Sequence, residues 1–256
     1  MLRSYIDTMN LDEFPQLLSI VDQEKYISAI PALDVDHPKF DWIFRNMDFE
    51  QWNTTTNSRL LWLSGPLERN IHQVSSYVVG QEKNATSKAD HFVLYFFCST
   101  VTTTRSIVAA FVHTLFNQIL CSSPRDERML IIKSFLYNLL EELFKKEASP
   151  DWKERGFSEN DSPDVSVLKM LNAPAGELWA ALKAILGTEQ KRGMSLVVDG
   201  LDKVEHHGGE FFEGFREFVE HLQHRFSQVK ILLTSTKIKS LFDGLPYIEY
   251  DKERQG

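Results

Sequence analysis

The sequence predicts an α/β domain on a doubly wound, mainly parallel sheet with helices on both faces. Three observations predict it. Short apolar runs recur at residues 59–64, 91–98, 194–199 and 229–235, and amphipathic stretches with helical spacing separate them. Several runs end in glycine, acid or hydroxyl residues rather than alternating polar positions, as strands buried on both faces do when they enter a ligand-facing loop.

The elements follow in order. Leu11, Phe14, Leu17, Leu18, Ile20 and Val21 suit a short amphipathic helix, and a turn follows around Pro31; residues 1–35 read as a helical arm. Residues 36–58 form an aromatic linker whose Trp42, Phe49 and Trp52 are expected to pack onto the domain of residues 59–256. Arg59-Leu60-Leu61-Trp62-Leu63-Ser64 is stopped by Gly65-Pro66 and predicts the first strand, with a helix over 71–79. His91 to Cys98 is the second strand. A Ser/Thr loop from Ser99 to Ser106 leads to a helix carrying Ile107, Val108, Phe111, Val112, Leu115, Phe116, Ile119 and Leu120 at helical spacing. A further helix is predicted over 129–144. Residues 148–166, with Pro150, Gly156, Pro163 and several acids, read as a long loop before a helix over 175–186. The third strand is Met194–Asp199, the fourth Val229–Ser235, with a helix over 210–226 between them and a short fifth strand over 247–250.

Composition narrows the function classes. The net charge of −8 disfavours gripping a phosphate backbone, so nucleic acid is not an expected partner. No stretch reaches the ~18 apolar residues of a membrane span, and no apolar leader opens the chain, so a cytoplasmic protein with no membrane partner is expected. Two cysteines cannot form a disulfide framework; Cys98 and Cys121 both read as core thiols. His206-His207-Gly208-Gly209 reads as a polar loop, because adjacent histidines point apart in regular structure and make a poor metal pair. Phe211, Phe212, Phe215, Phe218 and Leu222 form a helical stripe expected to be core.

The third strand ends in Asp199-Gly200-Leu201-Asp202, which sets two carboxylates at the carboxyl edge, where doubly wound sheets bind ligands. The order of pieces is Phe49-Glu50-Gln51-Trp52, then Leu60-Leu61-Trp62-Leu63-Ser64-Gly65, then Leu196-Val197-Val198-Asp199-Gly200-Leu201-Asp202, then Ile231-Leu232-Leu233-Thr234-Ser235. In that order the chain resembles the fungal NACHT-type (STAND) signalling NTPases with a nephrocystin-3-like N-terminal domain, over roughly residues 37–250. The resemblance implies a P-loop NTPase-like fold, with Asp199 helping to hold Mg²⁺ and Asp202 beside the hydrolytic position. It also implies a nucleotide edge made by Gly65, Arg69, Asn70, Ile71, His72, Asp199, Thr234 and Ser235.

The chain departs from that pattern where the chemistry would be done. A working G-x-x-x-x-G-K-[ST] loop wraps phosphates with backbone N–H groups, a Lys and a Mg²⁺-binding hydroxyl. Read from Gly65 without gaps, Asn70 replaces the last glycine, Ile71 the Lys and His72 the hydroxyl. Glu68 adds a carboxylate near the phosphates, a repulsion of about 1 to 4 kcal/mol depending on screening. Lys203 stands where the family commonly has a hydrolytic Glu, and Thr236 stands in place of a phosphate-sensing Arg, with Lys237 one residue on. ATP with Mg²⁺ is the cofactor the resemblance implies; the lost residues imply a pseudo-NTPase that does not require it and serves as a scaffold with protein partners in a signalling assembly. The other reading is an ATP-binding switch with a rewired loop that uses Arg69, Asp199 and Asp202.

Overall fold

The structure is a computed structural model and describes residues 6–7, 14–18, 20–33, 40–55, 59–65, 71–85, 91–101, 106–145, 161–188, 193–207, 209–226, 228–236 and 247–249. The chain packs as two compact units, one of residues 21–103 and 190–256 and one of residues 1–20 and 104–189.

The first unit carries the sheet. Its strands are β1 (Arg59–Ser64), β2 (His91–Phe97), β3 (Gly193–Asp199), β4 (Val229–Ser235) and β5 (Tyr247–Glu249), in the order β2-β3-β4-β1-β5. Every pairing is parallel, with Leu61 opposite Leu232, Leu196 opposite Ile231 and Phe97 opposite Asp199. All seven residues of β3 are buried, which is why its run is mainly apolar, broken by Ser195, rather than alternating.

For counting, α1 is Phe14–Leu17, α2 is Gln23–Ala29, α3 is Asp41–Phe44, α4 is Met47–Thr54 and α5 is Ile71–Ala85. Helix α5 lies along one face of the sheet. Its Val74, Val78 and Val79 recur at helical spacing and pack with Leu61, Leu63, Tyr95, Val197 and Leu232. Phe49 and Trp52 of α4 join the same cluster, and the Trp52 Nε1–H donates to the Arg59 carbonyl at 3.3 Å. The aromatic residues expected to pack onto the domain do so, from two short helices; the Asn46 side chain caps α4.

The second unit is helical among the described residues: α6 (Ile107–Ser122), α7 (Arg125–Lys145), α8 (Pro163–Leu171) and α9 (Ala175–Thr188), with α1 from the N-terminal part. Phe116 of α6 stacks on Phe135 of α7 at 4.1 Å and meets Phe14 edge-on at 6.1 Å. The fully buried His113 has its imidazole pKa pushed down to about 4 by burial, against a partial counter-effect from a hydrogen bond to the Leu171 backbone.

Three expectations are corrected. The loop expected over 148–166 ends earlier: the Ser162 side chain caps α8 and Pro163 opens it, a pairing of N-cap and first-turn proline that starts helices; residues 148–160 lie outside the described residues. Cys121 is exposed rather than core, while Cys98 is buried as expected. The polar loop expected at His206-His207 is a 3-10 turn over Leu201–His207, and α10 (Gly209–Arg225) follows with Phe211, Phe212, Phe215, Phe218 and Leu222 all buried. No helix among the described residues is long and apolar enough to cross a membrane.

Candidate functional site

The strand order itself locates a switch point. From β1 the chain goes on to β2 at one edge, and from β4 it goes on to β5 at the other, so neighbouring strands β1 and β4 send their connections in opposite directions. Doubly wound sheets bind ligands outside the carboxyl ends at such a switch point. The residues there are Ser64 of β1 and Gly65 after it, Thr234 and Ser235 of β4, and Asp199 beside them on β3.

Asp199 is 5% exposed, and its Oδ1 accepts protons from the Ser75 Oγ and Thr234 Oγ1 hydroxyls, each at 2.7 Å. Burial raises its carboxyl above the ordinary range; the two hydroxyl hydrogen bonds and the charge of His72 pull it back, and Asp202 adds to the rise. Gly200 has φ +73, a left-handed conformation that side chains resist. That turn lets the Gly200 N–H donate to Thr234 Oγ1 at 3.0 Å and lets its carbonyl accept from Lys203 N at 2.8 Å, which starts the Leu201–His207 turn.

The turn carries Asp202, whose Oδ1 accepts from the Thr236 N–H at 2.9 Å while Lys203 Nζ lies 3.6 Å from its Oδ2. Lys203, expected at the place of a hydrolytic acid, thus pairs with the acid beside it. Ser235 Oγ accepts from the Trp62 Nε1–H at 2.9 Å, and the Gly65 N–H donates to the Ser235 carbonyl at 3.3 Å. Ile71, at the place of the phosphate-loop lysine, is buried in the core cluster under α5. His72 is half-buried, next to it on the first turn. Arg69, Asn70, Glu68 and Lys237 lie outside the described residues.

The structure therefore gathers Asp199, Thr234, Ser235, Asp202 and Gly65 at one edge, with Ile71 and His72 on the helix that begins there. It also adds a residue that the sequence reading missed. Ser75 follows His72 by three positions and so lies on the same face of the helix expected from residue 71, a face that becomes legible only once it is known to meet Asp199. Among the described residues no group of three His, Cys, Asp or Glu side chains is placed to hold a metal ion.

A second polar cluster, also missed, sits at the amino end of the same sheet face. Glu82 Oε2 accepts from Ser195 Oγ at 2.6 Å and Glu82 Oε1 from Lys230 Nζ at 3.2 Å. His91 Nε2 lies 2.9 Å from Ser195 Oγ, and Lys230 Nζ also donates to the Asn53 carbonyl at 2.9 Å. Its signals were Ser195 and Lys230 interrupting apolar strands.

Residues 39–154 match the family model described as Nephrocystin 3, N-terminal. The Nephrocystin 3 N-terminal match is to a module of NACHT-type proteins, and it takes in α3, α4, β1, α5, β2, α6 and all of α7. It ends before β3, so Asp199, Asp202 and Thr234 lie beyond the matched residues. The parallel sheet is consistent with a P-loop-like fold. No curated protein matches the chain.

Proposed function

We propose that the chain is a NACHT-type module that neither hydrolyses ATP nor requires it, and that it serves as a cytoplasmic scaffold for protein partners in a signalling assembly. One observation carries this reading: Asp199, the acid expected to hold Mg²⁺, is 5% exposed and accepts two hydroxyl protons on the same oxygen. A carboxylate serving Mg²⁺ needs lone pairs open to a hydrated, octahedral ion and a charge that is easily kept. Burial around Asp199 works against that charge.

The rest of the edge supports the same reading. Ile71 places an apolar side chain in the core where a lysine would meet the β and γ phosphates. Lys203 pairs with Asp202 where a general base would orient water. The donor set does not fit Mg²⁺–ATP, and the edge reads as a structural junction of β3, β4 and α5.

One observation favours the rewired-loop reading: half-buried His72 stands on the first turn of α5, which begins at this edge and gathers a partial positive charge there. Titration with a fluorescent ATP analogue, with and without Mg²⁺, on the wild-type chain and on Asp199→Ala separates the two. No saturable binding in either protein is the expected result. Micromolar, Mg²⁺-dependent binding that Asp199→Ala abolishes would overturn the proposal.

A further inference from the structure

Residues 21–33 precede the stretch that matches the family model, yet they are tied to the carboxyl end of the edge strand β2 by side chains rather than by strand pairing. Gln23 is 3% exposed: its Oε1 accepts from the Phe97 N–H at 2.7 Å and its Nε2 donates to Thr100 Oγ1 at 3.0 Å. The carboxamide thus takes the place of a neighbouring strand at the end of β2, which stands at the outside of the sheet order. Tyr26 accepts from Ser99 Oγ at 2.7 Å and lays its ring 5.3 Å from that of Phe97. Glu24 accepts from Lys83 Nζ at 2.5 Å and from the Tyr95 hydroxyl. The Pro31 carbonyl accepts from Gln73 Nε2 on the first turn of α5 at 3.3 Å.

The Gln23 and Tyr26 ties converge on the end of β2 and the 3-10 turn Cys98–Thr100, which packs against the turn that carries Asp202, while Glu24 and Pro31 tie the segment to α5 and to Tyr95 of β2. Within the segment Gln23 alone among α2 residues is fully buried; Glu24, Lys25, Ser28 and Ala29 are exposed. Tyr26, Ile27, Ile30 and Leu33 pack against the core cluster only half-buried, so a segment held by polar ties and partial apolar contact opens at lower cost than the fully buried sheet beneath it.

We propose that Val21–Leu33 is a latch on the edge strand: docked, it closes the end of β2 and holds the Cys98 turn against the Asp202 turn, and released, it frees that turn while the sheet stays folded. The latch is independent of whether nucleotide binds. It places control of the carboxyl edge in a segment outside the matched domain.

The chain supplies its own reporter, because Cys98 is buried in the clamped turn and Cys121 is the one other thiol. In a Cys121→Ser background, maleimide labelling of Cys98 at fixed pH is compared between the parent, Gln23→Ala/Tyr26→Phe, and Glu82→Gln, which weakens the distant amino-end cluster. The latch variant is expected to label at least tenfold faster while keeping its circular dichroism and cooperative unfolding; Glu82→Gln is expected to label at the parent rate. Should the double variant fail to fold, Tyr26→Phe alone, which keeps the ring on Phe97, is expected to label severalfold faster. An unchanged labelling rate in the folded latch variant overturns the proposal, as does an equal increase in Glu82→Gln.

Discussion

At its carboxyl end, the α5-facing side of the sheet satisfies a buried acid with two neutral hydroxyls; at its amino end it satisfies another with a lysine, a serine and a neighbouring histidine. Ser75 and Glu82 are the contacts α5 makes at the two ends, two helical turns apart, with Val74, Val78 and Val79 packed between and beside them. The helix is pinned twice, by opposite means. Neutral partners fix the position of Asp199 without neutralising it, so burial pushes its carboxyl up. At the amino end the same low-dielectric surroundings push the His91 imidazole down, with Glu82 opposing and Lys230 adding to the drop. The end with the nucleotide-edge look is the one that, among the described residues, has no cation bonded to its acid, whereas the end no motif marks has an ion pair.

Removing each acid in turn gives the largest effect. Glu82→Ala leaves the Lys230 ammonium, 17% exposed at its side chain, with the Asn53 carbonyl and the Trp52 ring 5.8 Å away as its contacts among the described residues, and it should cost about 3 kcal/mol in urea unfolding. Asp199→Asn keeps an oxygen to accept from Ser75 and Thr234 and should cost no more than about 1 kcal/mol. Equal losses in the two variants would mean that charge, not position, is what Asp199 supplies.

Each end also depends on one glycine, for different reasons. A Cβ at Gly193 would meet His91 Nδ1 at 2.5 Å, so Gly193→Ala must displace the ring from Ser195 and should cost about 2 kcal/mol. At Gly200 the space is open to ordinary contact, 3.5 Å from Lys203 Cγ, and the cost of Gly200→Ala is the backbone at φ +73 alone, about 1 kcal/mol. Denaturation curves for the two variants check the order. A Gly193→Ala protein as stable as wild type would show that the imidazole is not held where its neighbours place it.

Much of this arrangement was legible in the sequence, but unevenly. The strands announced themselves as apolar runs, and Asp199 and Asp202 could be placed at an edge because they end one. Ser75 could not, since its contact with Asp199 depends on which face the helix expected from residue 71 turns to the sheet. Glu82, His91, Ser195 and Lys230 are far apart in the chain and meet only through the β2-β3-β4 register. Two misreadings had their answer in plain view. Ser162-Pro163 is a helix start as well as a loop signal, and Cys121 falls off the stripe whose last members are Ile119 and Leu120.

The smallest effect is one of slope, and it has opposite signs at the two ends. His91 has a folded pKa below its ordinary 6.5, so the unfolded chain binds its proton first as pH falls. Its contribution is whole above pH 6.5 and is lost as pH falls through the folded value. Asp199 has a folded pKa above its ordinary 3.8, so its contribution is whole below that and is lost as pH rises through the folded value. Unfolding free energies of wild type, His91→Gln and Asp199→Asn, measured from pH 7.5 down to pH 4.5, separate the two. His91→Gln is expected to flatten the acid-side loss, because nothing is left there to protonate against Lys230. Asp199→Asn is expected to compare best with wild type at the high end and to fall behind as pH drops, because acid restores to Asp199 the neutral form that the amide already imitates. A His91→Gln profile parallel to wild type would show that the amino-end cluster takes up the proton without cost, as an ion pair able to share a second cation would, and the contrast between the two ends would then rest on Asp199 alone.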